Sequence, residues 1–236
     1  MEELRKLFHQ DLAVARDQLV RLAAWVTELI PRVTEVLLEG DLEGAELIIA
    51  ADAELDRRAV EAEEHCIQIL ALQTPVAGEL RQVVALLKMI AEVERSGDLA
   101  CSICKATRRM NGHPMDPKLK GLITRMSEQA QALYRAAIEA FVDNDPVKAA
   151  ELDDMDAILD ALQKQLLQAV AESHKAGLTD LAVAMQMAVV ARFYERIGDH
   201  AVNIAERVRF IVTGWLPDHQ KSARSVVDPD SVGWAT

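Results

Sequence analysis

Glu195 and Asp199 stand four residues apart in Glu195-Arg196-Ile197-Gly198-Asp199, and 101 residues earlier Glu94-Arg95-Ser96-Gly97-Asp98 repeats the stretch with only its central residue changed. At about 100° of rotation per helical residue, positions i and i+4 share a face, so each stretch sets two carboxylates side by side. A second pair precedes each: Asp52 and Asp56, ending 38 residues before Glu94, and Asp156 and Asp160, ending 35 before Glu195. In an antiparallel helical hairpin the two pairs of each half come alongside, giving four carboxylates per half. Asn203 and Glu206 extend the later set. They fall within roughly 80° of Glu195 and Asp199 around the helix, opposite its apolar seam, and are expected to face solvent with them.

Carboxylates about 4 Å apart repel by roughly 4 kcal/mol at a near-surface effective dielectric and about 1 kcal/mol in water, and a cation removes that repulsion. Oxygen-only ligands favour hard ions such as Mg²⁺, Ca²⁺, Mn²⁺ or oxidised iron over thiolate-type zinc sites. The halves are unequal: Ser102 and Lys105 stand where the second half has Asn203 and Glu206, so the second site is expected to be richer in ligands and to bind more tightly. The competing reading is a solvated acidic face neutralised by Arg57, Arg58, Arg95 and Arg196, natural in a chain with 38 acidic residues. One acid pair would not outweigh it; paired pairs in both halves do.

Other chemistry is hard to find. Cys101 and Cys104 lie one helical turn apart, but their repeat equivalents are Val202 and Ala205, which marks them as core filling. His65, His174 and His200 are isolated and read as structural. No Glu precedes a His by three residues, as a ferritin-like di-iron site requires, and no Gly-rich phosphate loop, nucleophile elbow or His-Glu-x-x-His is present.

The elements that must position the carboxylates are helices. Half of the residues are hydrophobic, only 4% are aromatic, and Gly and Pro number 10 and 7 in 236, a composition of long helices. The punctuation predicts six: residues 2 to 39 with a kink at Pro31; an Asp41 cap to about Gln73; Pro75 as the first position of a helix to about Met110; about Met115 to Val142; an Asp145 cap and Pro146 to about Lys175; and a last helix ending near Thr213. In the last, Met187, Val190, Tyr194, Ile197, Ala201, Ile204, Val208 and Ile211 form a seam at alternating three- and four-residue spacing. Shifted back by 101, six of the eight are again apolar. The fold class is therefore all-α, two tandem similar three-helix bundles, with repeats over 1–112 and 113–214 and a poorly ordered tail over 215–236. A Gly at one place in both copies, costing on the order of 1 kcal/mol relative to Ala, points to close helix approach there.

The formal charge of −12 repels phosphate backbones and no basic stripe interleaved with aromatics appears, so nucleic acid is not an expected partner. Apolar stretches are broken by Lys88 or Arg192 well short of a membrane span, and Met1-Glu2-Glu3-Leu4-Arg5-Lys6 opens no signal peptide. With three cysteines and no disulfide framework, a soluble cytoplasmic protein is expected.

The two Glu-Arg-x-Gly-Asp helices, each preceded by an Asp-xxx-Asp helix, together with Thr74-Pro75 and Leu80-Arg81, resemble the PhoU family of phosphate-uptake regulators over about residues 4 to 213. The resemblance implies surface clusters of iron, zinc, manganese or magnesium on the acidic motifs, and a cytoplasmic, often homodimeric protein without membrane insertion. It also implies a non-enzymatic negative regulator acting between the phosphate transporter PstSCAB, through its ATPase PstB, and the sensor histidine kinase PhoR. Two other classes compete: a metal-dependent hydrolase using clustered ions to activate water, and a plain helical scaffold without metal. Metal content separates the scaffold from the rest, and turnover of phosphate esters separates the hydrolase.

Overall fold

The computed structural model describes residues 2–110 and 115–215, which form six helices: α1 (Glu2–Glu39), α2 (Leu42–Gln73), α3 (Gly78–Met110), α4 (Pro117–Asp143), α5 (Pro146–Lys175) and α6 (Leu181–Thr213). Their ends follow local chemistry. Asp41 caps α2 by accepting from the Gly44 amide at 2.9 Å, after Gly40 has turned the chain at φ +69°. Asp145 caps α5 from Val147 and Lys148, with Pro146 at the first position where its missing N–H costs nothing. The start of α3 differs from expectation. Thr74 and Ala77 take left-handed backbone angles, φ 44° and 47°, so Pro75 stays in the connection and the helix begins at Gly78. Pro31 lies inside α1, which runs on as one helix to Glu39.

Helices α1, α2 and α3 pack against one another, as do α4, α5 and α6, giving two three-helix units. The units join through α1 against α4 and α3 against α6, which places α2 and α5 on the outside. Both joints are antiparallel. Along α1 and α4, Arg16 donates to the Phe141 carbonyl, Gln131 to that of Thr27 and Lys120 to that of Leu38. Buried hydroxyls close the joint: Thr34 on α1 lies 2.6 Å from Ser127 on α4 and 2.7 Å from Tyr194 on α6. All three are satisfied, where an orphaned buried hydroxyl would cost about 1–3 kcal/mol.

One hydrophobic core runs through both units. The seam predicted for α6 is buried from Met187 to Val208, with Ile211 partly covered, and all eight equivalents on α3 are buried, Ser96 and Thr107 included. The expected boundary at 112/113 and, apart from Trp215, the expected tail over 215–236 lie outside the described residues. No helix among the described residues is long and apolar enough to cross a membrane.

Candidate metal-binding carboxylate clusters

Each half brings its acidic pairs together where the outer helix crosses the glycine of the inner one. A Cβ on Gly97 would stand 2.2 Å from Leu55 Cδ2, and one on Gly198 would stand 2.5 Å from Leu159 Cδ2. Such separations are impossible without displacement, so the recurring glycine does mark a close helix approach. Because α2 and α5 press onto the inner helices at these points, Asp52 and Asp56 flank Leu55 beside Asp98, and Asp156 and Asp160 flank Leu159 beside Asp199.

In the first half, Asp52, Asp56 and Asp98 each offer an oxygen within 4.8 Å of the others. Asp52 is partly buried and also accepts the Cys101 thiol at 3.1 Å, while Asp98 is exposed. Burial, then the charges of Asp52 and Asp98, raise the Asp56 carboxyl above its ordinary range, against the opposing charge of Lys105. Glu94 joins from one turn before Asp98: burial and the charges of Asp98 and Asp56 raise it too.

The second half is less compact and more deeply set. No second triplet among the described residues is as tight, but Glu195 is only 8% exposed. This corrects the expectation of a solvent-facing carboxylate: the side of α6 away from α3 is covered by α5, because the inner helix of a three-helix unit has neighbours on most of its circumference. Burial, then Asp199, push Glu195 up to about 7, with Asp160 and Asp156 adding and Arg192 opposing. Asp156 is likewise pushed up to about 7, by burial first and then by Asp160, Asp199 and Asp153. Asp199 keeps an exposed edge, yet the protein around its carboxyl desolvates it and raises it as well. Arg192 pairs with Glu195 Oε1; Glu195 Oε2 and Asp156 Oδ1 are buried with no partner among the described residues. Buried oxygens that would repel one another when ionised fit a cation. Asp156, Asp160, Glu195 and Asp199 would hold it in this half, as Asp52, Asp56, Glu94 and Asp98 would in the other.

Asn203 reaches across to the other repeat. The Asn203 amide donates to Glu92 on α3 at 3.1 Å, and Glu206 is half-buried three residues further along. His200, read as structural, is buried and meets the same Glu92 carboxylate. Burial alone would raise Glu92, but the hydrogen bonds from His200 and Asn203, together with the charges of His200 and Arg95, hold that carboxyl below its ordinary value. Glu92 was not singled out from the sequence, and Arg192 only as a break in an apolar stretch. The available signal was repeat asymmetry, since their equivalents are Phe193 and Ala91. Cys66, Cys101 and Cys104 are free and buried, and burial raises all three thiols, Cys66 to about 11 and Cys104 to about 12. They are packed thiols, not reactive ones.

Six helices in two joined three-helix units, each with two acidic pairs at its inner–outer crossing, define a duplicated helical-bundle protein with carboxylate clusters. The model of the PhoU domain matches it twice in tandem, over residues 19–107 and 123–208, and the chain belongs to the PhoU family. It is 33% identical over 217 residues to the phosphate-specific transport system accessory protein PhoU homolog 1 of Mycobacterium leprae, covering 91% of this chain and 96% of that one. It is 33% identical over 216 residues to homolog 2 of Mycobacterium tuberculosis, covering 91% and 100%. The phosphate transport system regulatory protein PhoU from Streptococcus pneumoniae superposes with a TM-score of 0.82 at 25% identity, covering 89% of this chain and 99% of that one.

Proposed function

We propose that this protein is a cytoplasmic, non-enzymatic negative regulator of phosphate uptake. In phosphate-rich cells it favours the inhibited state of the transporter through the ATPase PstB and the non-signalling state of the sensor kinase PhoR. The observation that carries this reading is the likeness, along both repeats and nearly the full length of the relatives, to accessory proteins of phosphate-specific transport. Metal ions on the two carboxylate clusters hold each outer helix to its inner helix and so fix the surface offered to partners; the orphaned buried oxygens of Glu195 and Asp156 support this part. A second copy of the chain completes a homodimer. Deleting the chain is expected to derepress a phosphate-starvation reporter in phosphate-rich medium, and a reporter unchanged from wild type would remove the reading. Affinity capture from cells grown in high and low phosphate tests PstB and PhoR as partners.

A further inference from the structure

Each carboxylate cluster belongs to one repeat, yet one buried polar contact joins the two helices that carry them. Glu92 Oε2 on α3 receives His200 Nδ1 at 2.5 Å and Asn203 Nδ2 at 3.1 Å, both from α6, while Glu92 Oε1 lies 3.8 Å from Arg95 Nη1. The Glu92 and His200 side chains are 16% and 8% exposed, so the contact is largely withdrawn from water. Its position is particular. Glu92 precedes Glu94 by two residues, His200 directly follows Asp199, and Asn203 lies one turn beyond.

The fold does not require this contact. The repeat equivalents of Glu92, His200 and Asn203 are Phe193, Leu99 and Ser102, so the equivalent positions carry an uncharged set with apolar residues in place of the ionisable pair. Burying a hydrogen-bonded ionisable pair instead of apolar side chains is often neutral or unfavourable for stability. The contact adds a directional link between a backbone segment of one cluster and a backbone segment of the other.

We infer that the Glu92–His200–Asn203 bridge couples the two carboxylate clusters, so that a cation in one raises the affinity of the other. The inference rests on the metal reading of the clusters. An ion at Asp156, Asp160, Glu195 and Asp199 replaces repulsion between α5 and α6 by attraction and fixes Asp199. His200, the next residue, is fixed with it, and Glu92 is held through His200 and Asn203. Glu94, about half a turn along α3, then has less freedom to lose when the first cluster takes its own ion. Ordering by a first ligand that spares a second the same ordering gives positive coupling, and the coupling is reciprocal.

Titration calorimetry with Mn²⁺ alone tests the bridge. Asp56→Asn with Asp98→Asn leaves only the second cluster, and Asp156→Asn with Asp199→Asn leaves only the first. The wild-type isotherm is expected to be tighter than the sum of these two, with the second ion bound on the order of tenfold more tightly than in the single-cluster proteins. Glu92→Gln, which keeps the shape, and Glu92→Phe with His200→Leu, which installs the repeat's own apolar residues, are each expected to make the isotherm additive. Circular dichroism establishes that either variant is folded, and one folded variant suffices. Additive binding in the wild type, a first ion that weakens the second, or coupling that survives in a folded bridge variant overturns the inference while leaving the metal reading intact. Absence of Mn²⁺ binding in every protein removes both.

Discussion

A Cβ placed on Gly198 would stand 2.9 Å from Oδ1 of Asp156, whereas the nearest atoms to one on Gly97 belong to Leu55 and Val26. The glycine of α6 is thus part of the wall of its cluster, and that of α3 is a packing residue only. Alanine gains on the order of 1 kcal/mol of helix propensity at either place, but overpacking a buried site costs about 1–3 kcal/mol. Gly198→Ala and Gly97→Ala are each expected to lose on the order of 1 kcal/mol in denaturant unfolding. Only Gly198→Ala is expected to weaken Mn²⁺ binding as well, by displacing Asp156. Equal loss of metal affinity in both variants would contradict this division.

Glu195→Gln with Asp199→Asn separates a metal site from an acidic cluster that holds no ion by the response to added metal. Without metal, the amides relieve repulsion between carboxyls whose ionisation burial already opposes, and the variant is expected to melt above the wild type at pH 7. With Mn²⁺ at about a hundred times its dissociation constant, a folded-state ligand stabilises by roughly 2.7 kcal/mol, which in a chain of this size is about 5–10 °C. The wild type is expected to gain that rise and lose it to a chelator. The variant is expected to show much less of it. A wild type that melts at one temperature with metal, without metal and with chelator rules out these carboxylates as a site.

Much of this geometry was legible in the sequence, because burial on long helices repeats with a fixed period. The seam from Met187 to Val208 and its copy on α3 are core, and Asp41 and Asp145 cap the helices they were assigned to. What was not legible depends on more than one helix. The burial of Glu195 is set by where α5 lies, which no periodicity within α6 encodes. Asn203 shares a face with Asp199 but is claimed by Glu92, a residue on the other repeat. Thr74 and Ala77 take left-handed angles that their residue types do not announce, which delayed the start of α3 beyond Pro75. Even so, the pairing of Glu92 with His200 left a trace, because both depart from an otherwise apolar repeat at Phe193 and Leu99.

The metal-free protein is expected to lose stability as pH rises from about 4 to about 7. Asp156 and Glu195 are pushed up to about 7 in the folded chain, burial first and neighbouring carboxylates second, against ordinary values near 4 in the unfolded one. Between those limits the folded state binds more protons than the unfolded state, so stability falls with rising pH and levels off once both groups have ionised. Glu92, held below its ordinary value, acts in the opposite sense: its contribution is present above the unfolded pKa and is lost as pH falls through the folded one. Asp156→Asn isolates the cluster's share, since the amide cannot titrate and Glu92 is common to both proteins. The variant's stability relative to the wild type is expected to grow across pH 4 to 7, by on the order of 2 kcal/mol once the partial exposure of the carboxyl is allowed for. Saturating Mn²⁺ is expected to reverse the order at pH 7, because the wild type then holds an ion that the variant has lost a ligand for. Chelator-treated melts at half-unit pH steps measure the first effect, and a difference that stays flat from pH 4 to 7 would show that Asp156 ionises as an ordinary surface carboxylate.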